Sequence, residues 1–187
     1  MKSVLISIQP YWVFLIIANK MGWNIGKEKT IEVRKNYPKD ENWDKVAKIY
    51  CSKDKKSFAK IPKEYQPLME KFLGKVIGEF VCDRFTYIEA GYDTSGNKHL
   101  YNTAFIEHRM CIPDNELHEY LYKSRENSGG WAWHISNLVI YDKPRELSEF
   151  RSYNTRAYFD EKIGLPMPTH EITRPFQSWG YVYETDT

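Results

Sequence analysis

Three charged side chains stand close together early in the chain, at Lys29, Glu32 and Arg34 in the segment KTIEVRK. Apolar and polar residues alternate in this segment, which predicts a β-strand from Lys29 to Lys35. Side chains two positions apart on a strand share one face at a spacing of about 6.6 Å. Glu32 and Arg34 could therefore hold one polar ligand group, because an arginine fork suits a phosphate or a base edge and a carboxylate accepts from an exocyclic amine.

A structural role for the same residues is the alternative. Glu32 and Arg34 could form a solvated ion pair with each other, which contributes about 0 to 1 kcal/mol to stability. Both interpretations stay open on residue spacing alone.

Aromatic residues are the second source of chemistry in the sequence. Base stacking on an aromatic ring is worth about 1 to 3 kcal/mol per base, and the candidate rings are Trp12, Tyr50, Trp131, Trp133 and Trp179. Trp12 and Trp179 lie in apolar runs, which favours core positions for both. Trp131 and Trp133 follow two glycines and would share one face of an extended segment, so they could form an exposed platform or part of the core. His134 comes next and could titrate or donate a structural hydrogen bond.

The composition limits which functions need to be considered. The chain has 187 residues, of which 42% are hydrophobic, and its 27 Lys and Arg residues against 25 Asp and Glu residues leave a net charge of +2. This balance predicts one soluble globular domain over residues 1–187, and any nucleic-acid site must be local rather than spread over a basic surface. Three widely spaced cysteines suggest neither a disulfide framework nor a zinc site, so we expect a cytoplasmic protein. The apolar start of the chain is interrupted at Gln9-Pro10 and is too short for a membrane span.

The predicted elements are short strands separated by short helices of unequal length. A strand over Val4 to Ile8 leads into a helix that Pro10 opens, and Asp114 is predicted to cap a helix that continues to about Ser124. The other predicted strands are Lys48 to Cys51, Gly74 to Cys82, His134 to Tyr141 and Ser178 to Glu184, with partly helical segments at Glu64 to Leu73 and Pro144 to Phe150. The strand Gly74 to Cys82 contains a glycine, which often marks a bulge or a close backbone approach. This order does not follow a regular βαβ rhythm, so we predict an α+β fold with a mixed β-barrel and short helices packed outside.

Several segments resemble the ASCH domain, the activating signal cointegrator homology module of the PUA-like superfamily, in its single-domain bacterial and phage form. The resemblance runs from Ser3 to about Val182 and is carried by SIQPYW, KTIEVRK, IYC, GKVIGEF, HISNLVIYDKP and QSWGYV. The family signature is G-x-K-x-x-E-x-R, and Lys29, Glu32 and Arg34 match its last three fixed positions. Its glycine is displaced here, since Gly26 stands one place early. Residues 92–108 and 153–173 match no part of the pattern and are interpreted as embellishments.

The resemblance implies a PUA-like β-barrel with a cleft beside the first helix. In that cleft Lys29, Glu32 and Arg34 would face RNA or a nucleotide-like ligand. Ser178 lies in the segment that resembles the last strand lining the cleft, and Tyr50 and Trp133 are the aromatic residues that we add to the expected binding set. The predicted function is thus an RNA- or nucleotide-binding module.

An RNA-processing hydrolase that uses the same cleft is the alternative function. Some small relatives in the superfamily are amidohydrolases with a threonine three residues after the lysine, but that position is Glu32 here, so this mechanism is not carried over. A ribonuclease would need a base and a cation near the phosphate, for which Lys29, Glu32 and His134 are the candidates. No metal or cofactor motif occurs, so none is expected. A protein-binding module that uses the two unmatched segments is the third possibility.

Overall fold

The structure is a computed structural model, and it describes residues 2–123, 128–153 and 169–184. Within these residues it contains eleven strands, five short α-helices and one 3₁₀ turn. The strands are β1 Ser3–Ile8, β2 Ile31–Arg34, β3 Val46–Cys51, β4 Val76–Val81, β5 Phe85–Tyr92, β6 Lys98–Tyr101, β7 Gly129–His134, β8 Ser136–Arg145, β9 Phe150–Tyr153, β10 Thr169–Glu171 and β11 Trp179–Glu184. The helices are α1 Pro10–Ile17, α2 Lys55–Phe58, α3 Gln66–Glu70, α4 Glu107–Met110 and α5 Asp114–Leu121, and the 3₁₀ turn is Leu147–Glu149. The predicted α+β class is confirmed.

The chain divides into two compact units. The first unit comprises Met1–Phe14, Asn42–Phe80 and Val139–Thr187, and the second comprises Leu15–Glu41 and Val81–Leu138. Among the described residues, no helix has both the length and the apolar character needed to cross a membrane.

The first unit is built around a mixed sheet with the strand order β10-β9-β11-β1-β3-β4-β8. The central strand β1 pairs in parallel with β3 and antiparallel with β11. Five of the six residues of β1 are buried, and four of them are apolar, as expected for a strand that is covered on both faces. The strand pairings between described residues close neither sheet into a barrel, so the barrel stays a prediction.

A charged network lies on the first unit. The nearly buried Lys48 ammonium contacts the carboxylates of Glu79, at 2.9 Å, and Glu184. The Tyr141 hydroxyl donates to the same Glu79 carboxylate at 2.6 Å. Burial, together with this carboxylate, raises the pKa of Tyr141. These contacts join β3, β4, β8 and β11 across the sheet, so the network has a structural role.

The second unit contains a four-stranded antiparallel sheet with the order β2-β7-β5-β6. One face of this sheet packs against α4 and α5 and forms a hydrophobic core. The core residues include Ile31, Val33, Ile88, Ala132, Met110, Leu117 and Leu121. Alternation along the strands therefore sends the intervening residues, Glu32 and Arg34 among them, to the opposite face.

Several predicted elements are confirmed, and others are wrong. The strand Val4 to Ile8, the helix opened by Pro10 and the last strand are present. The predicted strand His134 to Tyr141 is instead two strands, because β7 ends at His134 and Asn137, with a φ of +48°, takes a left-handed conformation in β8. Two consecutive polar residues, Ser136 and Asn137, stand at this break between the apolar Ile135 and Leu138.

The helix predictions near the middle and end of the chain need similar corrections. Pro144 belongs to β8, and only Leu147–Glu149 forms a helical turn. The capping position before α5 is Pro113 rather than Asp114. Residues 92–108 hold part of the β5–β6 hairpin and the start of α4, whereas residues 154–168 of the second predicted embellishment lie outside the described residues.

Candidate functional site

Lys29, Glu32 and Arg34 form one ion-pair network in the second unit. The Arg34 guanidinium Nη1 lies 2.6 Å from Glu32 Oε1, and the Lys29 ammonium lies 3.3 Å from Glu32 Oε2. Lys29 also donates a hydrogen bond of 2.7 Å to the backbone carbonyl of Met110. The structure thus joins the three signature residues through one carboxylate, which both cations contact.

The network is buried, and the exposure of its side chains increases from Lys29 to Arg34. Lys29 is 1% exposed and Glu32 is 3% exposed, whereas the Arg34 side chain is 14% exposed. Burial lowers the pKa of Lys29, and the nearby Glu32 charge partly opposes this shift. The Glu32–Arg34 ion pair of the structural alternative is therefore present, but it is largely buried rather than solvated. Of the three groups, Arg34 is the one with the most access to a ligand.

A hollow of about 870 Å³ lies beside Lys29. It is lined by the sequence neighbours of Lys29 and by the α4 region, including Lys27, Glu28, Thr30, Glu107 and Arg109. The Arg109 guanidinium donates to the Thr30 hydroxyl at 2.8 Å. Two cations and two carboxylates among these residues balance each other, so the hollow has little preference for an anion.

Strand β7 places two tryptophans beside the network. Trp133 lies opposite Glu32, and Trp131 lies opposite Arg34, in the antiparallel register of β2 and β7. Trp133 is fully buried, and its indole N–H donates to the Asn36 carbonyl at 3.3 Å. It therefore cannot serve as an exposed stacking platform, whereas Trp131 is only partly buried.

His134 does not join the network. Its register partner is Ile31, whose side chain belongs to the core, so His134 projects to the face opposite Glu32. Arg84 Nη2 lies 2.9 Å from the Nδ1 atom, and the Thr86 hydroxyl lies 2.9 Å from Nε2. A guanidinium only donates, so Nδ1 accepts and Nε2–H donates to Thr86. Both ring nitrogens are thus occupied, which does not suit the general base considered for a ribonuclease.

The surroundings of His134 predict a pH-dependent stability. Burial and the charges of Arg84 and Arg109 lower the pKa of His134, so below its ordinary pKa of about 6.5 the unfolded chain binds more protons than the folded chain. Stability therefore falls as the pH decreases through this range. We expect His134→Gln, whose amide can accept from Arg84 and donate to Thr86, to reduce this fall between about pH 7.5 and 5.5 in urea unfolding. The exposed His99→Gln control should keep the original profile, and an unchanged profile in His134→Gln would contradict the assignment.

The structure places Tyr50 and Ser178 in the first unit. Tyr50 is 5% exposed and packs in a hydrophobic core with Leu5, Val76 and Phe150. Burial raises its pKa. Ser178 directly precedes β11, and its carbonyl accepts from the amide of Ser7 at 2.9 Å. Burial explains Tyr50 structurally, whereas the cited contact of Ser178 involves only its backbone. The part of both residues in ligand binding stays a prediction.

Residues that the sequence interpretation missed share the face of Glu32 and Arg34. Phe85 lies opposite Trp133, and Tyr87 lies opposite Trp131, in the register of β5 and β7. The signal was available in FTYIEAGY, where aromatic residues alternate with core residues as in a half-buried strand. In the part of the chain that is described, no group of three or more His, Cys, Asp or Glu residues could hold a metal ion.

Comparison with known proteins gives a match to a solved structure. No family model and no curated protein matches the chain. Among solved structures, the chain is similar to a mutant of ZmASCH from Zymomonas mobilis, with a TM-score of 0.46 and 15% identity over 79% of this chain and 77% of that chain. The similar structure is thus an ASCH protein.

Proposed function

We propose that the chain binds RNA or a nucleotide-like ligand on the face of the second unit's sheet that carries Arg34. The observation that supports this proposal is the buried Glu32 carboxylate, which lies 2.6 Å from the partly exposed Arg34 guanidinium. A guanidinium fixed in this way loses little freedom on binding, so it can contact a phosphate at low entropic cost. Lys29 and Glu32 act as positioning residues in this proposal, because both are buried.

Broader predictions accompany the binding proposal. We propose the PUA-like β-barrel and the single ASCH-like domain on the sequence motifs, together with the cytoplasmic location expected from the odd number and wide spacing of the three cysteines. Tyr50 and Ser178 remain predicted ligand contacts on the same basis.

The binding proposal is tested with a labelled single-stranded RNA of about 10 nucleotides at low salt. Arg34→Gln should weaken the affinity roughly 10- to 100-fold, because a hydrogen bond to a charged group is worth about 1.5 to 3 kcal/mol. Lys35→Gln is the matched control, because it removes one positive charge from the adjacent exposed residue, whose ammonium lies over the Tyr120 ring. Equal affinity for the wild type and Arg34→Gln would refute the assignment of Arg34.

The same assay addresses the hydrolase alternative. Cleavage of the RNA that disappears in Lys29→Ala, in a variant shown to be folded, would support a ribonuclease. Retention of intact RNA would support a binding module. The occupied ring nitrogens of His134 favour the binding module.

A further inference from the structure

Two rows of side chains cross the face of the sheet that carries Arg34. The strand registers place Glu32, Trp133 and Phe85 in one row. They place Arg34, Trp131 and Tyr87 in the next row. Directly opposed residues of neighbouring strands have Cβ atoms about 5 Å apart, so each row combines one charged residue of β2 with two aromatic rings.

The rings form a continuous cluster, which we call the aromatic cluster and define as Tyr37, Phe85, Tyr87, Trp131 and Trp133. Trp131 is central to it, with ring centroids 4.2 Å from Tyr37 and 5.2 Å from Tyr87. Tyr37 also contacts Phe85 at 5.1 Å, and Phe85 meets Trp133 edge to face at 5.1 Å. Such contacts hold each ring in a fixed orientation.

Gly129 provides the space that the outer ring needs. A Cβ atom at this position would overlap the Tyr87 hydroxyl and lie only 2.6 Å from the ring carbon Cζ. The Tyr87 ring therefore lies over the bare backbone of β7, next to Trp131. A side chain at position 129 would displace it.

Exposure increases across the aromatic cluster towards the row of Arg34. Trp133 is fully buried, Trp131 is partly buried and Tyr87 is 41% exposed. A tyrosine held by ring contacts and yet this accessible offers an apolar surface, and the guanidinium of Arg34 lies in the same row. An aromatic surface beside a cation is complementary to an unpaired base with its phosphate.

We propose that the aromatic cluster makes the ligand of this site a single-stranded nucleic acid, with one base stacked at Tyr87 and Trp131 and its phosphate at Arg34. The inference rests on the proposed function, because it specifies the substrate class of the same face. A duplex keeps its bases stacked on each other, so it cannot use the rings and gains only the phosphate contact.

The test compares two probes, an RNA strand of about 10 nucleotides and the same strand annealed to its complement. The wild type should bind the single strand about 10-fold more tightly than the duplex. Tyr87→Ala should bind the single strand about 10-fold more weakly than the wild type does, with its affinity for the duplex unchanged. Tyr87→Phe should retain the affinity, because the ring rather than the hydroxyl makes the stack. Tyr101→Ala is the matched control, since Tyr101 lies on β6 of the same sheet and is 39% exposed.

The outcomes separate this inference from the binding proposal. Equal affinity for the single strand and the duplex, or equal binding by Tyr87→Ala and Tyr87→Phe, would overturn the inference while leaving Arg34-dependent binding intact. Failure of the wild type to bind either probe would overturn the proposed function itself. If the chain bound another protein at this face and had no affinity for RNA, both the inference and the proposed function would be overturned.

Discussion

Replacing Glu32 by Gln is expected to lower the free energy of unfolding by about 3 to 5 kcal/mol, which is typical when one member of a buried ion pair is removed. The glutamine keeps the size of the side chain but removes the charge that Lys29 and Arg34 both contact. Lys29 is completely enclosed, so water cannot replace the lost carboxylate there. Urea unfolding measures the effect directly.

The neighbouring Glu28→Gln is the control for this change. Glu28 is exposed and accepts a hydrogen bond from Asn19 at 3.0 Å, so its substitution should change stability by no more than about 0.5 kcal/mol. A loss of less than about 1 kcal/mol in Glu32→Gln would mean that the network is hydrated and that Glu32 does not position Arg34.

Replacing Gly78 by Ala is expected to lower the free energy of unfolding by up to about 3 kcal/mol, which is the upper range for overpacking. Gly78 lies in β4, and a Cβ atom there would overlap the Val139 carbonyl and lie 3.1 Å from the Cα of Ile140. Both neighbours are backbone atoms of β8, so relief would require the two strands to separate.

Gly91→Ala tests whether this cost is specific to position 78. A Cβ atom at position 91 would meet only the side chain of Tyr101, at 3.3 Å, which can shift. The free energy of unfolding of Gly91→Ala should stay within about 1 kcal/mol of the wild-type value. If thermal unfolding gave the same midpoint for both variants, the close approach of β4 and β8 would be contradicted.

Much of the fold could be predicted from local patterns. Apolar runs with β-branched residues identified β1 and β3, and Pro10 marked the start of α1 correctly. The glycine in the strand Gly74 to Cys82 indicated a bulge or a close backbone approach, and the structure shows the close approach at Gly78. The break between β7 and β8 was missed, although the consecutive polar residues Ser136 and Asn137 interrupt the apolar pattern at the start of β8. Strand order and register depend on contacts between distant segments, which periodicity does not encode.

The candidate site was predictable only in part. Spacing along β2 correctly placed Glu32 and Arg34 on one face, and the structure adds Lys29 through a contact that skips two residues. The sequence pattern did not predict that Lys29 and Glu32 would be buried, since charged residues are usually exposed. Trp131, Trp133 and Tyr87 share one face because β5 and β7 pair in one particular register, and a shift of β7 by one residue would send both tryptophans to the core face.

The most direct test of the binding face is an NMR titration of the ¹⁵N-labelled chain with a single-stranded RNA of about 10 nucleotides. We predict the largest shifts at the backbone amides of Arg34, Tyr87 and Trp131, together with the Trp131 indole and the Arg34 side chain. Small shifts at these groups, with the largest changes at the hollow near Lys27 and Arg109 or at the Lys48 network of the first unit, would contradict the account.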